Sequence, residues 1–159
     1  MIGPDKSETK NIECLSLSQK FEVGTLPLAE LFGLKAAFDF LNQLDDNEVY
    51  RHRNDLFNYS SQKLKEIKGI IIYNQNLVST NIITFNLLPY HAHDVADYLG
   101  RKNVLLRAGN FCCPYLDKII GTSSALRVSF GLHNSYADID RLVVYLSEIS
   151  QNPQLLLPF

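Results

Sequence analysis

The spacing of apolar residues along the chain predicts three helices of substantial length. Residues 27–41 repeat apolar side chains at helical intervals over a wide stripe, so we expect a well-buried helix there, with Pro27 in its first turn. A second helix is expected over residues 47–67. The final helix follows Ser135 and Asp138, which form an N-terminal capping pair, and its apolar positions keep the spacing of one buried face.

The middle of the chain shows the alternation and the short apolar runs that are typical of strands. Residues 70–73 and 81–87 are expected to pair across a turn, and residues 104–106 form a brief buried strand. Residues 125–132 alternate cleanly between apolar and polar side chains. A short helix is expected over residues 91–100. The order ααββαββα predicts an α/β sandwich, in which helices pack on a short sheet.

Composition and charge exclude several classes of protein. The chain has 15 Lys and Arg against 17 Asp and Glu, and 46% of its residues are hydrophobic. These values are ordinary for a globular domain and do not support a disordered chain or binding to nucleic acid or an anionic membrane. The longest segment without acidic or basic residues, 69–93, contains several amides, so we expect no membrane span. Three cysteines, two of them adjacent, favour a reducing cytoplasm over a disulfide-stapled secreted fold.

A cysteine close to an arginine is a candidate nucleophile. Cys112 follows Arg107 by five residues on a segment that contains Gly109. A thiol reacts as its thiolate, and a nearby guanidinium favours that form. Free cysteines are also among the most buried residues, and on local sequence alone a structural role for Cys112 is favoured.

Three further candidates are weaker when each is taken alone. Arg127 lies on the polar side of the strand expected at 125–132, where its planar fork could hold a carboxylate or simply be solvated. His91 and His93 do not follow a zinc-binding spacing, and residues at helix starts are often only caps, so we predict no metal. Gly24-Thr25, before a helix, is a weak signal for phosphate.

Taken together, these segments resemble the pyridoxal-phosphate-dependent cysteine desulfurases of the class V aminotransferase superfamily, and among them the SufS-type branch. Four family motifs occur in register: Phe-Glu-Val-Gly-Thr at 21–25, His-Ala-His-Asp-Val at 91–95, Arg-Ala-Gly-Asn-Phe-Cys at 107–112 and Arg-Val-Ser-Phe-Gly-Leu-His-Asn at 127–134. The resemblance implies the small α/β sandwich domain of a fold-type I pyridoxal phosphate enzyme. Residues 1–26 would be a remnant of the large domain, 27–152 the small domain and 153–159 a tail.

The resemblance also implies a role for each matching residue around the substrate. Cys112 would take the sulfur of L-cysteine as a persulfide and leave L-alanine, in the service of iron–sulfur cluster assembly. Arg127 would grip the substrate carboxylate, Arg107 would line the pocket and Asn134 would support the Arg127 strand within the substrate site.

Other matching residues imply partners. Gly24 and Thr25 would contact the cofactor phosphate of the opposite subunit, so a homodimer is expected. His93 lies where some relatives offer a histidine to the zinc of a SufU-like sulfur acceptor, and a SufE-like acceptor is the other class expected.

The family's Schiff-base lysine has no counterpart in this chain. Family members are more than twice as long, and that lysine belongs to their large amino-terminal domain. We therefore expect the carboxy-terminal part of such an enzyme, from a split or truncated reading frame, that is inactive unless the missing domain is supplied. Two positions also depart from the family. Asn110-Phe111 replaces histidines, and Cys113 replaces the usual alanine, so that a second thiol could intercept the persulfide.

Three alternatives stay open. One is a non-catalytic sulfur-relay or binding module that keeps Cys112 and Cys113 as persulfide carriers. Another is a fragment similar to a selenocysteine lyase. The third, and the least favoured, is a stand-alone cysteine hydrolase that uses Cys112 with His93 or His133.

Overall fold

The computed structural model describes residues 16–21, 24–74, 81–113 and 115–156, and it divides the chain into two compact units, Met1–Leu44 and Asp45–Phe159. The first unit contains helices α1 (Leu17–Phe21) and α2 (Leu28–Leu41). The second unit contains α3 (Asp46–Lys65), β1 (Ile70–Ile72), β2 (Ile82–Leu87), α4 (Ala92–Arg101), β3 (Arg107–Gly109), α5 (Leu116–Ile120), β4 (Ala125–Ser129), α6 (Tyr136–Gln151) and a 3-10 helix (Pro153–Leu156). None of the described helices is both long enough and apolar enough to cross a bilayer.

The second unit is built around an antiparallel sheet with the strand order β1-β2-β4-β3. Phe85 lies opposite Ile72 on one side and Leu126 on the other, and all three are buried. The apolar faces of α3, α4 and α6 pack with this row in one hydrophobic core. The predicted sandwich of helices on a short sheet is therefore confirmed.

The predicted burial of α2 is wrong, although the helix itself forms after Pro27 as expected. No residue of α2 is buried, and Leu34 and Phe32 are 53% and 72% exposed. Apolar periodicity predicts which face of a helix can be buried, but burial also requires a second apolar surface against which that face packs. Among the described residues, nothing buries this stripe.

The buried strand predicted at residues 104–106 is also wrong, because β3 begins at Arg107. The amide of Val104 still donates to the carbonyl oxygen of Leu99 in α4 (2.9 Å), so this segment is tied to the end of a helix. Leu105 is 86% exposed. Strand β3 is defined by its backbone pairing with β4, and this pairing begins only at Arg107.

Two further details differ from the expectations. Leu132 is exposed rather than inward, because β4 ends at Ser129 and the chain turns away from the sheet. The five-residue helix α5 is too short to show an apolar period in the sequence. The start of α6 is confirmed, since the amide of Ser135 donates to the carboxylate of Asp138 (2.9 Å).

Candidate active site

Two arginines face each other across the β3–β4 pair. Arg107 lies directly opposite Arg127, and residues opposed in this way share one side of the sheet. It is the side away from the buried Leu126, because side chains alternate along a strand. Within the part of the chain that the structure describes, neither guanidinium forms an ion pair. Two adjacent cations without a counter-charge favour an anion, and the guanidinium fork matches a carboxylate.

The guanidinium of Arg127 also lies against the cysteine loop. Its central carbon is 5.2 Å from the centre of the Phe111 ring, a cation–π arrangement, and Phe111 immediately precedes Cys112. The Nε of Arg127 is buried, and no acceptor for it is found among the described residues. Leaving a buried donor without a partner costs free energy.

Asn110 fixes the backbone of the cysteine loop. Its Oδ1 accepts a hydrogen bond from the amide of Cys112 (3.1 Å), and its carbonyl oxygen accepts one from the amide of Cys113 (2.9 Å). Phe111 and Cys112 have φ angles of 56° and 58°, in the left-handed region that non-glycine residues rarely adopt. The two bonds offset the cost of that conformation. Both cysteines are free thiols, with Cys112 exposed and Cys113 half-buried.

A polar cleft of about 450 Å³ lies beside Arg107 and is lined in part by His91, His93, Asn110 and Ser123. His91 caps α4, because its Nδ1 accepts a hydrogen bond from the amide of His93 (3.3 Å). A Cβ added at Gly109 would lie 3.4 Å from Nε2 of His93, and the φ of Gly109 is +113°. Glycine is therefore favoured here by its backbone conformation, while the contact with His93 would be an ordinary one. No group of three metal-ligating side chains occurs in the described ranges.

The remaining predicted site residues lie elsewhere. Asn134 and His133 line a second cleft, of about 580 Å³, between α6 and the segment before β3. Asn134 closes the turn after β4, since its Oδ1 accepts a hydrogen bond from the amide of Gly131 (2.8 Å). Gly24, with a φ of +95°, and Thr25 belong to the exposed turn before α2 in the first unit. The roles assigned to these residues stay predictions.

Sequence reasoning does not predict the roles of Asn110 and Phe111, which differ from the histidines of the family pattern. The tendency of asparagine to hydrogen-bond the backbone two residues ahead is a local signal that predicts such a turn. The stacking of Phe111 on Arg127 has no local signal, because it depends on how β3 and β4 pair.

Comparison with known proteins identifies the family. The model of the family described as aminotransferase class-V matches residues 3–142. The chain belongs to the class V aminotransferase family. A probable cysteine desulfurase of Staphylococcus epidermidis is 35% identical over 136 residues, which are 85% of this chain and 33% of that protein. A probable cysteine desulfurase of Ureaplasma parvum is 34% identical over 136 residues, with 86% and 34% covered. This class V chain thus spans about a third of the length of these curated relatives.

Solved structures agree with this family. The cysteine desulfurase CsdA of Escherichia coli is similar with a TM-score of 0.75 and 26% identity. The apo cysteine desulfurase of Thermococcus onnurineus is similar with a TM-score of 0.76 and 25% identity. In both cases the match covers 83% of this chain and 33% of the other. The predicted fold class, the small α/β domain of a fold-type I enzyme, is confirmed.

The class V family implies pyridoxal phosphate for the full enzyme. The described residues offer a guanidinium, that of Arg127, which matches a carboxylate, and an exposed thiol, that of Cys112. No lysine is among the described residues that line the polar cleft, so the amine that anchors this cofactor is not found there.

Proposed function

We propose that this chain is the substrate-binding and sulfur-accepting part of a pyridoxal-phosphate-dependent cysteine desulfurase of the SufS type. The complete enzyme would convert L-cysteine to L-alanine and leave the sulfur on Cys112, as a source for iron–sulfur cluster assembly. The observation that supports this most is the contact of the Arg127 guanidinium with the ring of Phe111, the residue immediately before Cys112.

The residues of this chain would act as follows. Arg127 binds the substrate carboxylate through paired hydrogen bonds, and Arg107 adds positive charge beside it. Cys112 is exposed, and a thiol reacts as its thiolate. That thiolate attacks the sulfur of the bound cysteine, so that an S–S bond forms while the C–S bond breaks. The substrate thiol proton ends on the carbon, which gives alanine and a Cys112 persulfide anion. Pyridoxal phosphate, when bound, delocalises the electron pair released at carbon.

The test uses the protein with its native partners. A purification tag at the carboxyl end of the chain, expressed in its own cell, recovers whichever polypeptide holds the lysine. We expect L-alanine and an equal amount of Cys112 persulfide from L-cysteine. Cys112→Ala should abolish both, whereas Cys14→Ala, the matched control, should abolish neither.

Arg127→Lys should raise KM for cysteine roughly tenfold, since a bidentate bond to a charged group is worth about 1.5–3 kcal/mol. An absence of alanine, or full activity in Cys112→Ala, would contradict the proposal.

Partners follow from the same assignment. We propose a homodimer in which Gly24 and Thr25 contact the cofactor phosphate of the other subunit.

We also propose that His93, exposed beside Gly109, contacts a SufU-like or SufE-like acceptor. His93→Ala should then slow sulfur transfer to that acceptor more than it slows alanine formation measured with a chemical reductant. Without a companion polypeptide, the chain is expected to be inactive.

A further inference from the structure

We infer that Cys113 is a second sulfur-holding site, which accepts the terminal sulfur atom of the Cys112 persulfide. This inference rests on the proposed function, because that reaction produces the persulfide. It adds a step inside the chain, between the formation of the persulfide and its delivery to an acceptor.

Hydrogen bonds hold the backbone around the two adjacent cysteines. Asn110 accepts hydrogen bonds from the amides of both Cys112 and Cys113. The carbonyl oxygen of Cys113 in turn accepts one from the amide of Leu116 (3.1 Å), at the start of α5. The backbone on both sides of the pair is therefore well defined, and the Cα atoms of neighbouring residues lie about 3.8 Å apart.

That separation suits sulfur transfer better than a disulfide. A disulfide requires sulfurs about 2.05 Å apart and Cα atoms usually farther apart than those of neighbours. Transfer instead needs three sulfurs roughly in line, with the two cysteine sulfurs roughly 4–5 Å apart, about twice an S–S bond. Adjacent side chains reach this second distance without distortion of the peptide bond between them.

The step is balanced without an oxidant or a reductant. The Cys113 thiolate attacks the terminal sulfur of the Cys112 persulfide, the new S–S bond forms, and the old bond breaks. Cys112 leaves as a thiolate, and the number of sulfane sulfurs is unchanged.

The thiols of Cys112 and Cys113 differ in exposure, and this difference determines what the sulfur transfer achieves. Cys112 is exposed, whereas Cys113 is half-buried. Sulfur held on Cys113 is less accessible to solvent reagents, and its transfer returns Cys112 to the thiolate that the next substrate requires. The site can thus hold sulfur while it accepts another substrate.

The test loads the 159-residue chain with limiting cysteine persulfide, in a Cys14→Ala background that leaves only the pair. Iodoacetamide stops the reaction at intervals, and tandem mass spectrometry of the proteolytic peptide locates the extra sulfur. We expect it first on Cys112 and later on Cys113. In Cys113→Ala it should stay on Cys112, and in Cys112→Ala the loading of Cys113 should be at least about tenfold slower, as expected for a less exposed thiol.

Three results would overturn the inference: sulfur that never leaves Cys112, equally fast loading of Cys113 in Cys112→Ala, or release of sulfide with formation of a Cys112–Cys113 disulfide. Asn110→Ala should slow the transfer from Cys112 to Cys113, and Asn110→Asp, which keeps the acceptor oxygen, should restore it. The donor needs no cofactor, so these outcomes are independent of alanine formation. Failure of the relay and failure of the proposed desulfurase activity are therefore distinguishable.

Discussion

Helices α2 and α6 both contain many apolar residues but have very different environments. In α6 the inward residues Leu146 and Ile149 are fully buried in the core of the second unit. In α2, by contrast, Leu34 is 53% exposed and no residue is buried. The difference shows that a segment rich in apolar residues predicts a helix, whereas burial depends on a partner surface that a local pattern does not describe.

The largest expected effect is on packing. Leu146→Ala removes a fully buried side chain and should lower the free energy of unfolding by about 2–5 kcal/mol. Leu34→Ala, the matched change in α2, should alter it by less than about 0.5 kcal/mol. Urea unfolding followed by circular dichroism measures both. Equal losses in the two variants would mean that α2 is buried in solution.

Substitutions of two glycines extend the comparison of α2 with the second unit to the backbone. Gly69, before β1, has a φ of +91°, and a Cβ there would lie 2.6 Å from the carbonyl oxygen of Leu88. Gly69→Ala should therefore destabilise the second unit by about 2–3 kcal/mol.

The matched change within α2 should have the opposite sign. An added Cβ at Gly33 meets no atom within 4 Å, so Gly33→Ala should stabilise the helix by about 0.5–1 kcal/mol. The urea midpoints of both variants test this pair. A destabilised Gly33→Ala would indicate a close neighbour at α2.

A pH-dependent effect of about 1 kcal/mol is expected at the start of α6. A hydrogen bond from the backbone amide of Ser135 holds the pKa of the Asp138 carboxyl below its ordinary value. The stabilisation at α6 is therefore fully present above the unfolded pKa, about 3.9, and is lost as the pH falls through the lower folded pKa.

The start of α2 has no side-chain cap, so no such pH dependence is expected there. Asp138→Asn should cost about 1 kcal/mol at neutral pH, and the difference from the wild type should vanish in acid. Thermal melts of both proteins from pH 7 to pH 2 measure this difference in stability. A difference that stays constant across this pH range would rule out the charged carboxylate as its cause.

Most of the fold was predictable from the sequence because apolar residues recur at helical spacing in long helices such as α3 and α6. The error at β3 arose because residues 104–106 are the more apolar triplet, while the strand is determined by hydrogen bonds to β4. Those bonds join residues about twenty positions apart, and no window along the chain contains both partners.

The candidate site was predictable only as separate motifs. The sequence identifies Cys112 and Arg127 separately, whereas the contact of the Arg127 guanidinium with Phe111, the residue before Cys112, depends on the tertiary structure. The contribution of Asn110 to both cysteine amides depends on an unusual backbone at residues 111 and 112, which residue type alone does not predict.

The central claim is that a carboxylate-binding guanidinium lies beside the reactive thiol. The most direct measurement compares the rates at which Cys112 is alkylated by iodoacetate, which has a carboxylate, and by neutral iodoacetamide. With Cys14 and Cys113 replaced by alanine, Arg127→Gln should lower the iodoacetate-to-iodoacetamide rate ratio about fivefold, equivalent to about 1 kcal/mol. Arg51→Gln, on the exposed surface of α3, should leave it unchanged. An unchanged ratio in Arg127→Gln would contradict the account.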